Sequence, residues 1–417
     1  MARSEQLPDP VIFREFPFNV GVKMLAPGDI RPTPEQQAAY RRFAKMGDPL
    51  ADALIEMFRR LPTGQGRALF ETALEHGIET VPDAPTELKA FFAHLDSEPF
   101  WLDREKLDRA AGVSGRVGPW ATNLALSMFS LNGGYLASRA GKVLVGTGGL
   151  AAEAMAPRRV VETATWWVDV TGRGGLERFG PGFKNTVRVR VMHAQVRAGM
   201  NRRPDWDYEQ WDHPINQSLT AGTLMLFSLA TIAGCNAVGL TFSKKEKAAV
   251  YHQWRYVGHL MGLDPEILPA DETDTWRLLW LQADYEFLPD EDSRRLSKAL
   301  VSALGPIYGF DGPDLRSRLL RHAFTLYSVS YSRILLGKTN SDFLEMPYSR
   351  VFLAAVLTTA AINGVLEVPR RLIPGATGLS ERVGRRLTER MMARAARVNR
   401  PDRSYARHDR PAETRAA

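Results

Sequence analysis

The chain of 417 residues holds one cysteine, Cys235. That excludes an intrachain disulfide and any zinc site built on two or more thiolates. Long apolar runs are also missing. The longest candidate, Val351–Leu366, is sixteen residues, contains Asn363 and Gly364 and stops at Glu367. A membrane span needs about twenty apolar residues, so this segment is expected to be a buried helix, with a place on a membrane surface as the alternative. The opening Met1-Ala-Arg-Ser-Glu5 has neither the apolar core of a secretory signal nor a twin-arginine motif, which makes the cytoplasm the expected location. Strand-like alternation is scarce, with Val187-Arg-Val189-Arg-Val191 its one convincing instance. No His-Glu-x-x-His or repeated Glu-x-x-His pattern occurs to hold a metal between helices.

Two glycine-rich stretches invite a nucleotide reading and fail it. After Gly141-Lys-Val-Leu-Val-Gly146-Thr-Gly148-Gly149 the chain continues with Leu150 and Ala151, where a P-loop needs Lys followed by Ser or Thr. Gly172-Arg-Gly174-Gly175 lacks the last glycine of the dinucleotide fingerprint and follows a predicted helix instead of a strand. Both stretches are expected to be loops.

What is present is ordinary for a globular protein, with 44% apolar and 24% charged residues. The net charge of +7 is unevenly spread. Residues 370–417 contain thirteen arginines, no lysine and five acids, a net +8, so the rest of the chain is close to neutral. This basic appendage reads as a solvated, partly frayed helix with a disordered end. No nucleic-acid partner is expected; a peripheral membrane contact through the arginine-rich tail stays open.

Helix signals dominate. Thr33-Pro34-Glu35-Gln36 and Ser243-Lys-Lys-Glu246 are capping-box patterns. Helices are predicted over 34–46, 48–61, 64–76, 86–95 and 103–111, with a break through Gly112, Gly115 and Gly118. A long apolar helix follows at 120–140. Further helices are predicted over 216–234, 243–262, 273–287, 290–304, 314–336, 347–367 and 379–397. The expected organisation is an irregular segment 1–32, one all-α domain 33–375, and an arginine-rich helix and tail 376–417.

The chemistry-bearing residues gather between Arg159 and Arg197. Arg159 and Thr163 are four apart and share a helix face, which Trp166 and Trp167 extend with aromatic surface. His193 has no Asp or Glu within seven residues on either side. An imidazole so placed tends to stay neutral, the form that binds metals, although a lone His is also a common core residue. His252, Arg255 and His259 lie near one helix face and read as core or supporting residues.

The motifs Arg159-x-x-x-Thr163 and Arg190-x-x-His193-Ala194-x-Val196-Arg197 together resemble those of the rubber oxygenase family, the latex-clearing proteins and related prenyl-shortening oxygenases. The similarity extends through Ile215-Asn-Gln217, Ser228-Leu-Ala-Thr231, Tyr251-His252-Gln-Trp254, His259, Gly262 and Pro269-Ala270, covering roughly residues 125–300. The resemblance implies a globin-like helical core with additional N- and C-terminal helices. It implies haem b, with His193 as the iron's proximal ligand, and Arg159 and Thr163 as catalytic residues on the distal side. Arg190 and Arg197, at i−3 and i+4 from His193, are candidates for the haem propionates, since Arg binds carboxylates bidentately; ordinary surface arginines are the alternative. Trp166 and Trp167 would wall an apolar pocket. The implied activity is O₂-dependent oxidation of a small hydrophobic, unsaturated, prenyl-like substrate, with C=C cleavage as the leading chemistry. The alternatives are a haem hydroxylase or peroxidase-like oxidase, a non-catalytic haem or gas-binding protein, and a helical interaction protein acting through its tail. Two departures stand out. Glu162 occupies the position of the family's distal lysine, and Tyr135–Gly149, where the family carries a carboxylate, has no Asp or Glu.

Overall fold

The computed structural model describes residues 8–147, 156–310, 312–399 and 401. Among them there is no strand, only an isolated bridge between Ala137 and Phe287. Five helices come first: α1 (Phe18–Leu25), α2 (Pro34–Phe43), α3 (Pro49–Arg60), α4 (Gln65–His76) and α5 (Thr86–Asp96). Then follow α6 (Arg104–Asn123), α7 (Ser138–Gly146), α8 (Ala156–Thr171), α9 (Pro181–Met200), α10 (Gln217–Ala237) and α11 (Lys244–Leu260). The chain ends with α12 (Glu272–Tyr285), α13 (Glu291–Ile307), α14 (Leu315–Phe343), α15 (Arg350–Leu372) and α16 (Ala376–Asn399).

Local chemistry sets the starts. Thr33 and Gln36 form a reciprocal capping box, and so do Ser243 and Glu246, each satisfying two otherwise orphaned N–H groups. Asp48 caps α3 by accepting from the Ala51 N–H at 3.1 Å. The alternating segment Val187–Val191 is helical, inside α9. Val187, Val191 and Ala194 are fully buried at i, i+4 and i+7, and this helical spacing prevails because the interposed arginines find carboxylates. Arg188 pairs with Glu71 and Glu75, and Arg190 with Asp48.

Several expectations are corrected. The segment 1–32 is not irregular throughout: a 3₁₀ turn, Val11–Arg14, and α1 lie between its prolines. The break after residue 111 does not occur at Gly112 or Gly115, which stay within α6 with Glu381 and Arg385 of α16 lying over them. The helix kinks instead at Gly118, with φ of +72°, followed by Pro119. The apolar stretch 120–140 continues α6 as a π-helical segment, Leu124–Leu131, and is broken around Tyr135–Ala137. Gly141–Gly146 is helical, in α7, whereas Gly172–Gly175 does form a tight turn. α16 is not a frayed appendage. Gly384 packs onto α6 so closely that a Cβ there would meet the Gly115 carbonyl oxygen at 2.2 Å. The disordered end expected beyond it lies outside the described residues. Finally, α15 is largely exposed: 11% of its most apolar stretch is buried, against 67% for α10.

Candidate functional site

Helices α8 and α9 run antiparallel across the Gly172–Gly180 turn. Trp166 donates from Nε1 to the Thr186 hydroxyl at 3.1 Å, and Asn185 donates to Asp169 at 2.7 Å. Arg159 and His193 each lie seven residues, two turns, from the Trp166–Thr186 bond toward the same end of the pair. The fold therefore sets Arg159 at the level of His193, as the motif spacing requires.

The immediate setting of His193 is polar and tightly built. Arg190 is buried; its Nε and Nη2 donate to Asp48 at 2.6 and 3.0 Å and its Nη1 to the Leu260 carbonyl at 3.4 Å. Its guanidinium also stacks on Phe91 at 4.7 Å. Arg197 is buried as well. It pairs with Asp52 at 2.6 Å and donates from Nη1 to the Ile215 carbonyl at 2.9 Å. Burial alone would raise the Asp48 carboxyl; the Arg190 guanidinium beside it and the Ala51 N–H outweigh that and hold it below the usual carboxylate range. Gln217, at the start of α10, donates to the Gly47 and Gly262 carbonyls and accepts from the Asp264 N–H. Gly262, at φ of +76°, leaves room for Arg190, whose guanidinium a Cβ would meet at 2.5 Å. Half-buried His193 opens with these groups on a small space of about 10 Å³, which Thr220 and Met261 complete.

On the facing helix, buried Glu162 pairs with both Arg158 and Arg159, at 3.0 and 3.1 Å. It bridges the two. Thr163 is exposed, and its hydroxyl donates to the Arg159 carbonyl at 3.1 Å. Trp166 and Trp167 are core residues. Trp166 packs on Phe227 and Trp254, so the expected aromatic wall belongs to the interior. His252 accepts from the Asp103 N–H, and His259 stacks on His94 with ring centres 4.6 Å apart. Burial pushes His259 down to about 4. No group of three metal-ligating side chains occurs among the described residues.

One space was not foreseen from the sequence. It is an apolar cavity of about 200 Å³ bounded by α1, the π-helical segment 124–131, α10, α12 and α14, with Phe18, Phe129, Leu229, Leu279, Phe287 and Leu336 among its walls. Small-molecule sites are lined in this predominantly apolar manner. A second π-helical stretch, Leu226–Ala230 within α10, faces the first, and Ser130 donates to the Leu226 carbonyl at 2.8 Å. Such distortions recur at functional sites. Helix α10 borders both the cavity and the His193 pocket, with Thr220 at the pocket and Met225 at the cavity. Five residues of helix are about 7.5 Å.

For haem b, the donor chemistry at His193 fits: one imidazole, with the carboxylates that border it already engaged by Arg190 and Arg197. The space as packed, about 10 Å³, has room for roughly one water and not for a macrocycle. The propionate partners expected from the sequence, Arg190 and Arg197, are turned to Asp48 and Asp52.

A sequence profile described as "ER-bound oxygenase mpaB/B'/Rubber oxygenase, catalytic domain" matches residues 120–364. The chain is similar to the rubber oxygenase of Streptomyces sp. (strain K30), with 26% identity over 200 residues, 46% of either protein. It thus spans about half the length of the curated relative it matches. Among solved structures it is similar to latex clearing protein LCP in the closed state, with a TM-score of 0.57 and 20% identity over 83% of this chain and 91% of that one. At that identity the likeness speaks for the helical fold.

Proposed function

The chain belongs to the mpaB and rubber oxygenase catalytic-domain family, and from that premise we propose a haem b-dependent oxygenase acting on a small hydrophobic, unsaturated substrate, with oxidative C=C cleavage as its reaction. The observation that carries this reading is the apolar cavity set against the His193 pocket along one helix. An alkene or prenyl chain finds dispersion contacts and excluded water there.

His193 is the proposed metal ligand. Haem iron, when bound, supplies the activation of O₂. Arg190 and Arg197 act as positioning residues: fixed by Asp48 and Asp52, they hold the face of α9 that carries His193. Arg159 keeps a cation near the site, its charge balanced by Glu162, and serves to orient a polar oxygen through its guanidinium. The Thr163 hydroxyl, now on the Arg159 carbonyl, is a second donor one rotamer away. Hydroxylation without cleavage is favoured instead by one observation, the lack of Asp or Glu in Tyr135–Gly149.

Reconstitution with haem b tests the assignment. The wild-type chain should take up one equivalent and show a Soret band, and His193→Ala should lose it while keeping its helical circular dichroism. Arg159→Ala and Thr163→Ala should retain haem and lose turnover of a prenyl alkene to aldehyde or ketone products. A His193→Ala protein with an unchanged haem spectrum refutes the ligand. An alcohol as sole product selects hydroxylation.

A further inference from the structure

The outer face of α15 has no partner in this fold. From Val351 to Leu366 the helix carries no ionisable group. Val351, Leu357, Ile362, Val365 and Leu366 stand exposed, Val365 at 70% and Leu366 at 59%. Monomeric soluble proteins rarely leave a contiguous apolar face of this kind to water. The opposite face is fixed to the body at Val356, Asn363 and Glu367. Val356 is fully buried, and Asn363 donates to the Val238 carbonyl at 2.7 Å. Glu367 takes the Thr241 N–H at 3.0 Å and pairs with Arg116 and Arg370.

Beside α15 packs α16, and its exposed surface has two adjoining stripes. Leu379, Val383 and Leu387 repeat every four residues, and Arg382, Arg386 and Arg390 repeat in the same way about 100° round the helix. None of these three arginines has an ion pair among the described residues. An apolar face rimmed by unneutralised arginines matches one surface, the boundary between acyl chains and anionic headgroups.

We propose that the outer faces of α15 and α16 form an interfacial membrane-binding surface that takes an anionic lipid bilayer. The helix lies along the bilayer and does not cross it. Its uncharged run is shorter than the about twenty residues a span requires, and Glu367 ties its far end to the protein. A second copy of the chain fits less well, because a twofold contact through α15 would bring two arginine rows toward each other.

Flotation of the full-length protein with phosphatidylcholine vesicles, with and without about 30% phosphatidylserine, tests the surface. The wild type should bind the phosphatidylserine vesicles, and less as salt is raised. Val365→Asp together with Leu366→Asp should weaken binding by about a hundred-fold or more. Arg382→Gln, Arg386→Gln and Arg390→Gln combined should weaken binding to the anionic vesicles by about a hundred-fold, at roughly five-fold per arginine. All these positions are exposed, and unchanged circular dichroism certifies the fold. Binding that survives the aspartates, or no binding of the wild type to either vesicle, overturns the proposal. So does a dimer in sedimentation velocity that the aspartates dissolve while wild-type vesicle binding is absent, which assigns the face to a second copy.

Discussion

Glu286 is fully buried, and neither of its carboxylate oxygens has a hydrogen-bond partner. Among the described residues its paired cation is Arg139, with Nη1 3.7 Å from Oε2. That guanidinium is shared: it pairs with Asp212 at 3.4 Å and donates to the Gln210 and Tyr285 carbonyls. Asp212 takes a further bond from the Tyr285 hydroxyl at 3.0 Å, and the Tyr40 hydroxyl lies buried nearby without a partner. One arginine thus serves two buried carboxylates. Burial pushes Glu286 up to about 7, against the smaller pull of Arg139.

The folded protein therefore holds this proton more tightly than the unfolded chain, where the group titrates near 4.5. Its favourable contribution is complete below pH 4.5 and is lost as the pH rises through 7. The shift corresponds to about 3 kcal/mol. Glu286→Gln keeps the neutral form at every pH. The difference in unfolding free energy, variant minus wild type, should be about 1 kcal/mol at pH 5 and grow to about 3 kcal/mol in favour of the variant at pH 8. Urea unfolding of both proteins at pH 5, 6.5 and 8 measures it, and titrations common to the two cancel. A difference that stays flat with pH, or falls, refutes the reasoning.

Asp48→Ala leaves Arg190 buried without its carboxylate and should cost about 3–5 kcal/mol in urea unfolding; Asp48→Ala with Arg190→Met should recover much of that. Gly384→Val forces side-chain atoms into the Gly115 carbonyl and should destabilise by about 1–3 kcal/mol or more, seen as a lowered thermal midpoint.

Local signals read well from the sequence because they are local. The capping boxes at Thr33 and Ser243 are decided within four residues, and both form. The run 216–234 is apolar and is a core helix. Hydropathy could not distinguish that case from α15, since both helices are apolar and only the tertiary arrangement shows which one is covered. Glycine misled for a related reason. Gly112, Gly115 and Gly141 read as breakers when their neighbours in space are unknown, yet at Gly115 the missing side chain makes room for another helix. The apolar cavity was invisible because five separate elements build it, α1 among them. Glu286 was passed over because an isolated Glu in a polar stretch carries no sign of burial.

The arginines flanking His193 show how far spacing alone carries an argument. At i−3 and i+4 they lie within about 60° of His193 around α9, and all three border one small space. Their partners were not legible, since Asp48 is 142 residues from Arg190 and Asp52 is 145 from Arg197. Both aspartates belong to the start of α3, where Asp48 also caps the helix. A metal ligand must have its ring direction fixed by its surroundings to bind with a defined geometry. For His193, the proposed ligand, the arginines on either side are held by Asp48 and Asp52, well before position 120, where the family similarity begins. The start of α3 therefore belongs to the surroundings of the proposed site. Any variant that loosens α3 should disturb the setting of His193 while leaving every residue of the family motif in place.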